Sequence, residues 1–352
     1  MKAAFYTLGC KVNQYETQAL CEQFRAKGFE IVPPEEEADF YLVNSCTVTS
    51  TGDQKSRQAV RRFKRLHPQS IVVLTGCMPQ AYPEQAQSLT QADIVIGNRD
   101  SEAILEAIDE YQLSGKRIFH VRPHETGERF HGGTISSFQE HTRAFVKIQD
   151  GCDRFCSYCI IPTSRGRVRS KPLDELKEEL LRLREAGFPE IVLVGINLSS
   201  YGKDLGLSFC DAVELACSIG GILRVRLGSL EPDHLTPEVV KRLSHCEKLC
   251  PQFHLSLQSG CDETLRRMNR HYTCAEYEAL CGSLRSCFPD TAVTTDVMTG
   301  FPGETEAEFA QTLAFVRQIG FEKIHVFPHS SRPGTRAAAM PQLPKAGKRK
   351  LN

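Results

Sequence analysis

"AFVKIQDGCDRFCSYC", residues 144–159, decides how the rest of the chain is read. Its first six residues suit a buried strand. The polar loop that follows carries Cys152, Cys156 and Cys159 and supplies no fourth cysteine. Three thiols on one strand-to-helix loop admit three readings. Structural zinc wants four ligands in paired C-x-x-C form, and no second pair or histidine follows within 40 residues. Three buried thiols would suit a core, but a loop holding Asp153, Arg154 and Ser157 is poorly made for one. A 4Fe–4S cube on three thiolates leaves one iron open to a small molecule, unlike an electron-transfer cluster saturated by four. The third reading fits best.

Strand–helix alternation continues from there through "EIVLVG", "RVRLGS", "FHLSLQ", "TAVTTDVMTG" and "KIHVFP". Six units are too few for a closed eight-stranded barrel and enough for an open, partial (β/α)6 TIM-like one. Its ligands belong at the carboxyl ends of the strands. Upstream, "AAFYTL", "DFYLVN", "SIVVLT" and "DIVIGN" are continuous apolar runs separated by amphipathic helices, the pattern of a parallel sheet covered on both faces. The first helix is expected to have Asn13 as N-cap, Glu16 as its capping-box partner and Gly28 as its stop. The second should run from about Asp53 to Leu66, halted by Pro68, and the last begin near Ser101. The fold class is therefore α/β: an N-terminal parallel α/β sheet domain at 1–122, a polar linker at 123–142 and the partial barrel at 143–340. Residues 341–352 begin a further extension.

Cys10, Cys46 and Cys77 are far apart in sequence but equivalent in place, each just past a strand and after Gly or Ser. Parallel strands bring such ends to one edge, and small neighbours let the backbone wrap a bulky inorganic core. Any one of them alone would pass for a buried space-filler. Three equivalent placements favour a second cluster. The other nine cysteines share no placement, and packing accounts for them.

Bulk properties limit the alternatives. The 352 residues carry 43 basic and 43 acidic side chains, so no global positive field draws the chain to nucleic acid, and any such contact must be local. Fifteen cysteines in so long a chain do not make a secreted disulfide framework. No apolar run approaches a membrane span and no signal peptide precedes "KAAFYTLGC", so the cytoplasm is expected.

C-x3-C-x2-C with Tyr158 before the last cysteine resembles the signature of the radical S-adenosylmethionine (SAM) superfamily. "TLGCKVNQYETQ", "VNSCTVT" and "TGCMPQ" resemble the N-terminal domain of its methylthiotransferases. The resemblance implies a 5′-deoxyadenosyl radical made from SAM at the cluster of Cys152, Cys156 and Cys159. It also implies an auxiliary 4Fe–4S cluster on Cys10, Cys46 and Cys77 that supplies sulfur, and a methyl group from a second SAM. Within the family, "GCKVNQYE" is most similar to members that modify threonylcarbamoyladenosine beside the tRNA anticodon. Relatives acting on isopentenyladenosine or a ribosomal-protein aspartate differ after that Gly-Cys. A reductant such as flavodoxin or ferredoxin and a sulfur donor are implied partners. The family usually continues into a β-barrel called TRAM, and no such pattern is expected in "AGKRKLN".

Strand ends suggest which residues would hold SAM. Gly195 is expected to open space beside Asn197, and Glu231 to accept from an ammonium or ribose hydroxyls. Gln258 and Ser259 end the fourth strand, and Arg270 offers a planar fork for a carboxylate. Asp296 sits on the adenine side, and Phe327 belongs to the closing "VFPHSSRPGT". A polar residue at a strand end is as often a cap or loop brace as a ligand contact. For RNA, "DQKSRQAVRRFKR" carries Lys55, Arg57, Arg61, Arg62, Lys64 and Arg65, with Arg57, Arg61 and either Lys64 or Arg65 on one helical face. "SRGRVRSK" spaces Arg165, Arg167, Arg169 and Lys171 two apart, on one side of an extended chain. Solvated charged faces are the ordinary account of such runs. Both follow cluster loops, which favours phosphates of a single-stranded anticodon loop.

Overall fold

Apolar runs that alternate their side chains between two covered faces build the first unit of this computed structural model, which describes residues 1–138 and 142–343. That unit takes in 1–138, 151–153 and 160–167. The second takes in 142–150, 154–159 and 168–343. In chain order the first contains β1 (Lys2–Thr7), α1 (Lys11–Ala26), β2 (Glu30–Val32), β3 (Phe40–Ser45), α2 (Ser50–Leu66) and β4 (Ile71–Gly76). Then come α3 (Cys77–Ala81), α4 (Pro83–Gln87), β5 (Ile94–Ile96), α5 (Ile104–Ser114) and β6 (Ile118–His120). All six strands are parallel, ordered β2-β1-β3-β4-β5-β6. Tyr41, Val43, Val72 and Leu74 pack with Phe63 on one face, while Phe40, Leu42 and Val73 pack with Phe24 on the other.

Two details differ from the sequence expectation. Four strands were expected and six form, because β2 and β6 are three-residue edge strands with no apolar run to announce them. The first helix starts three residues early: Cys10 is its N-cap and Asn13 stands at N3. Asn13 Oδ1 accepts from the Cys10 N–H at 3.3 Å. Glu16 is not a capping partner but pairs with Arg165.

Residues 123–138 of the stretch expected as a linker belong to the first unit and are fastened within it. Tyr15 donates to the Gly133 carbonyl at 3.0 Å, and the Glu22 carboxylate accepts the Ser136 and Ser137 N–H groups. Arg99 pairs with Glu125 and Glu128. Polar composition here reflects hydrogen-bonded packing rather than slack.

The chain continues with β7 (Ala144–Asp150), α6 (Ile161–Arg165, in the first unit), β8 (Arg169–Ser170), α7 (Leu173–Glu185) and β9 (Glu190–Gly195). Next are α8 (Phe209–Ser218), β10 (Arg224–Leu227), β11 (Ser229–Leu230), α9 (Pro237–Ser244), β12 (Gln252–Leu255) and α10 (Asp262–Arg267). Last come α11 (Cys274–Cys287), β13 (Ala292–Thr299), α12 (Glu306–Ile319) and β14 (Lys323–Pro328). Sheets β10-β9-β7-β8 and β11-β12-β13-β14 meet at Gly228, where the run "RVRLGS" breaks in two. Its first half pairs with β9 and its second with β12. Six parallel positions thus follow in chain order, the open barrel that the alternation predicts. Residues 344–352, which fall in the expected extension, lie outside the described residues. Among the described residues, no helix is long and apolar enough to cross a membrane.

Candidate metal centres and cofactor site

Strands β1, β3 and β4 are neighbours in the first sheet, so Cys10, Cys46 and Cys77 leave one edge from adjacent positions. The loops are tightly meshed. A Cβ on Gly9 would lie 3.0 Å from that of Cys46, and one on Gly76, at φ +95°, about 2.5 Å from the Ser45 backbone. Glycine is required at Gly76 twice over, by dihedral and by contact. Asn13 Nδ2 donates to Asn44 Oδ1 at 3.1 Å, and Asn44 Nδ2 returns a bond to the Asn13 carbonyl at 3.1 Å. Ser45 Oγ donates to the Thr75 carbonyl at 2.6 Å and accepts from Met78 N–H at 3.2 Å. Each cysteine loop is therefore stitched to the next by side chains other than the thiols.

Burial pushes the Cys77 thiol up to about 12, with Arg165 opposing, and burial likewise raises Cys46. Thiols this reluctant to ionise become thiolates when a metal binds them. Among the described residues no three Cys, His, Asp or Glu close on a single metal ion. A cube takes its thiolates one per iron, at separate corners, and three thiols from adjacent strand ends are a donor set of that kind.

In the second unit, Cys156 is buried and its sulfur accepts from Arg270 Nη1 at 3.3 Å. Arg270 forks onto Glu231 (Nη1–Oε1 3.2 Å, Nη2–Oε2 2.5 Å) and also donates to the Ser256 carbonyl at 3.0 Å. Its Nε meets Tyr272 Oη at 3.2 Å, with the ring centroid 5.1 Å from the guanidinium carbon. Burial works against its charge, but Tyr272, Tyr158, Glu231 and Cys156 together raise its pKa well above the ordinary value. Arg154 adds a second cation against Glu231 at 3.9 Å and pairs with Asp233. Tyr158 packs with Met268, Met298, Phe301 and Phe327, and burial drives its hydroxyl pKa far up. The loop is braced by its own backbone: Ser157 N–H donates to Met268 O and Cys159 N–H to Cys156 O, both at 2.9 Å. Cys152 belongs to the first unit, where its N–H donates to Gly166 O at 3.0 Å.

The expected cofactor residues thus separate. Cys156, Tyr158, Glu231 and Arg270 are brought together, Glu231 and Arg270 as partners of one another. Gln258 adopts φ +66° and carries a buried Oε1 with no partner among the described residues. Ser259 turns to Thr312 Oγ1 at 3.1 Å, and Asp296 pairs with His254 at 3.2 Å. Gly195 does not open space: a Cβ there would lie 2.8 Å from Gln149 Oε1, which accepts the Asn197 N–H at 2.7 Å. Sequence reasoning missed Tyr272, Arg154 and Gln149. Tyr272 lies two residues past Arg270 in "MNRHYT" and was open to notice. Arg154 lies inside the cysteine motif itself, whereas Gln149, within an apolar strand, gave no signal.

The two basic runs also part company. Arg61, Arg62 and Arg65 are exposed, and Arg57 is half-buried against Gln85 at 3.5 Å. With Lys55, Tyr6, Leu8 and Phe63, the three exposed arginines line a cleft of about 540 Å3. The second run is a correction. Helix α6, Gly166 at φ +68° and antiparallel β8 interrupt the extended alternation. Arg165 is buried against Glu16, Arg169 against Asp150 at 3.6 Å and Lys171 against Glu179. Arg167 alone of the four is exposed, pairing with Asp153 at 3.2 Å.

Two family models match the chain: Uncharacterized protein family UPF0004 over residues 2–97 and Radical SAM superfamily over residues 146–316. "Threonylcarbamoyladenosine tRNA methylthiotransferase MtaB" of Bacillus subtilis (strain 168) is 41% identical over 339 residues, covering 96% of this chain and 75% of that one. The chain belongs to the radical SAM methylthiotransferases. It is a transferase whose cofactors are SAM and two 4Fe–4S clusters. A protein of the same name from Aquifex aeolicus (strain VF5) is 39% identical, over 98% of this chain and 84% of its own. The "tRNA-2-methylthio-N(6)-dimethylallyladenosine synthase" of Pelotomaculum thermopropionicum is 35% identical, over 97% and 78%. Among solved structures, the radical SAM methyltransferase TsrM of Kitasatospora setae superposes with TM-score 0.66 at 13% identity, over 92% of this chain and 72% of that one. At that identity the likeness concerns the fold alone.

Proposed function

We propose that this methylthiotransferase adds a methylthio group to carbon-2 of threonylcarbamoyladenosine beside the tRNA anticodon. The substrate choice rests on identity of 41% to a relative named for that nucleoside, against 37% to one named for dimethylallyladenosine. In this reading Cys152, Cys156 and Cys159 hold the radical SAM cluster, and Cys10, Cys46 and Cys77 the auxiliary one. Bound there, SAM and the clusters supply a 5′-deoxyadenosyl radical, the sulfur and the methyl group.

The chain's own residues position and shield. Glu231 and Arg270 set opposite charges side by side, a match for the zwitterionic methionyl head of SAM. Gln258 Oε1 offers a buried acceptor that wants a donor. Tyr158, Met298, Phe301 and Phe327 pack as one apolar cluster behind the cysteine loop, which would help to keep water from a cluster bound there. A small reducing protein such as flavodoxin or ferredoxin and a sulfur donor complete the partners.

Mass spectrometry of tRNA nucleosides tests the reading. A deletion strain should lose 2-methylthio-threonylcarbamoyladenosine and keep the methylthio form of isopentenyladenosine. Loss of the latter alone would transfer the substrate to the rival nucleoside.

The arginine cleft beside α2 is the proposed grip on the RNA backbone. Changing Arg61 and Arg65 to alanine should weaken binding evenly across sequences. It should also flatten the log–log salt dependence by about 1.4, from two phosphates on a single strand. An unchanged salt slope would remove those side chains from the interface.

A further inference from the structure

Arg165 is almost fully buried in the first unit, at 1% exposure, and faces both Glu16 and a cluster cysteine. Its terminal nitrogens fork onto the Glu16 carboxylate, Nη2 meeting Oε2 at 3.0 Å. The N–H on Nε is directed at Cys77 Sγ, 3.2 Å away. A buried guanidinium is costly to hold for packing alone. Here it is pinned by a carboxylate from α1 so that one donor points at one sulfur.

We propose that Arg165, oriented by Glu16, is a positioning residue that sets the reduction potential of the auxiliary cluster through its hydrogen bond to the Cys77 sulfur. The proposal rests on the assignment of that cluster to Cys10, Cys46 and Cys77. Adding one electron to a cluster adds negative charge. A donor and a cation beside a ligand sulfur stabilise that charge and raise the potential, and low local dielectric magnifies both effects. Glu16 does the opposite, since its carboxylate cancels part of the field. The two partners of one ion pair therefore act with opposite sign, which simple bracing of α6 against α1 would not produce.

The full-length chain with Cys152, Cys156 and Cys159 all changed to alanine should retain only the auxiliary cluster, and its potential can be followed by electron paramagnetic resonance during dithionite titration. In that background Arg165→Met, which keeps bulk and removes donor and charge, should lower the potential. Glu16→Gln should raise it. Each shift should be at least a tenfold change in the oxidised-to-reduced ratio at fixed potential, about 59 mV for a one-electron couple. Both variants loaded with iron but unmoved, or moved in the same direction, overturn the proposal. If Arg165→Met fails to load, the direction of the Glu16→Gln shift decides alone. Loss of iron from both also overturns it, because the role assigned is tuning and not retention. If the background chain itself binds no four-iron cluster, the auxiliary assignment fails instead.

Discussion

Cys156→Ala should reduce reconstituted iron from about eight to about four per chain and bring 5′-deoxyadenosine production to background. The substitution is clean because the loop does not depend on the thiol for its shape. Ser157 and Cys159 anchor it through backbone bonds at 2.9 Å, and Phe155 holds the turn at φ +50°. What alanine removes is one of the three proposed cluster ligands and the acceptor for Arg270 Nη1. Arg270 keeps Glu231, Ser256 and Tyr272, so no buried cation is stranded and misfolding is not the expected cause of failure. The auxiliary cysteines come from other loops, and the remaining iron should be theirs. Iron analysis after anaerobic reconstitution, with chromatography of the SAM products, reads both quantities. A variant that still holds about eight irons and cleaves SAM would remove Cys156 from the ligand set.

How far the fold was legible follows from which forces leave local marks. A parallel strand covered on both faces must be apolar throughout, so β1, β3, β4 and β5 stand out, and with them the cysteines at the ends of the first three. Edge strands β2 and β6 bury little and leave no such run. The early start of α1 was hidden because cysteine is an unusual N-cap, and Asn13, the better capping residue, works from N3. Polar strand ends drew attention to Glu231 and Arg270 singly but not to their pairing, since the two meet across 39 positions. The basic alternation at 165–171 misled for the same reason. Spacing shows the charges, whereas their fate is decided by carboxylates delivered from elsewhere, Glu16 to Arg165 across 149 positions among them.

Lys171 gives that last point its strongest test. Its ammonium and the Glu179 carboxylate are both fully buried and face each other across the first turns of α7. Burial lowers the Lys171 pKa, and the nearby Glu179 charge works to restore it. Breaking such a buried pair by removing one partner costs about 3–5 kcal/mol. Lys171→Met should therefore lower the barrel's calorimetric unfolding midpoint by on the order of 10 °C. The double variant Lys171→Met with Glu179→Leu, which replaces both charges by apolar groups, should recover most of the loss. Affinity for single-stranded RNA, measured on the folded variant, should stay at the parent value, in contrast to the Arg61 and Arg65 pair. A Lys171→Met chain that unfolds at the parent temperature but binds RNA more weakly would reverse the assignment and return this lysine to the nucleic-acid face.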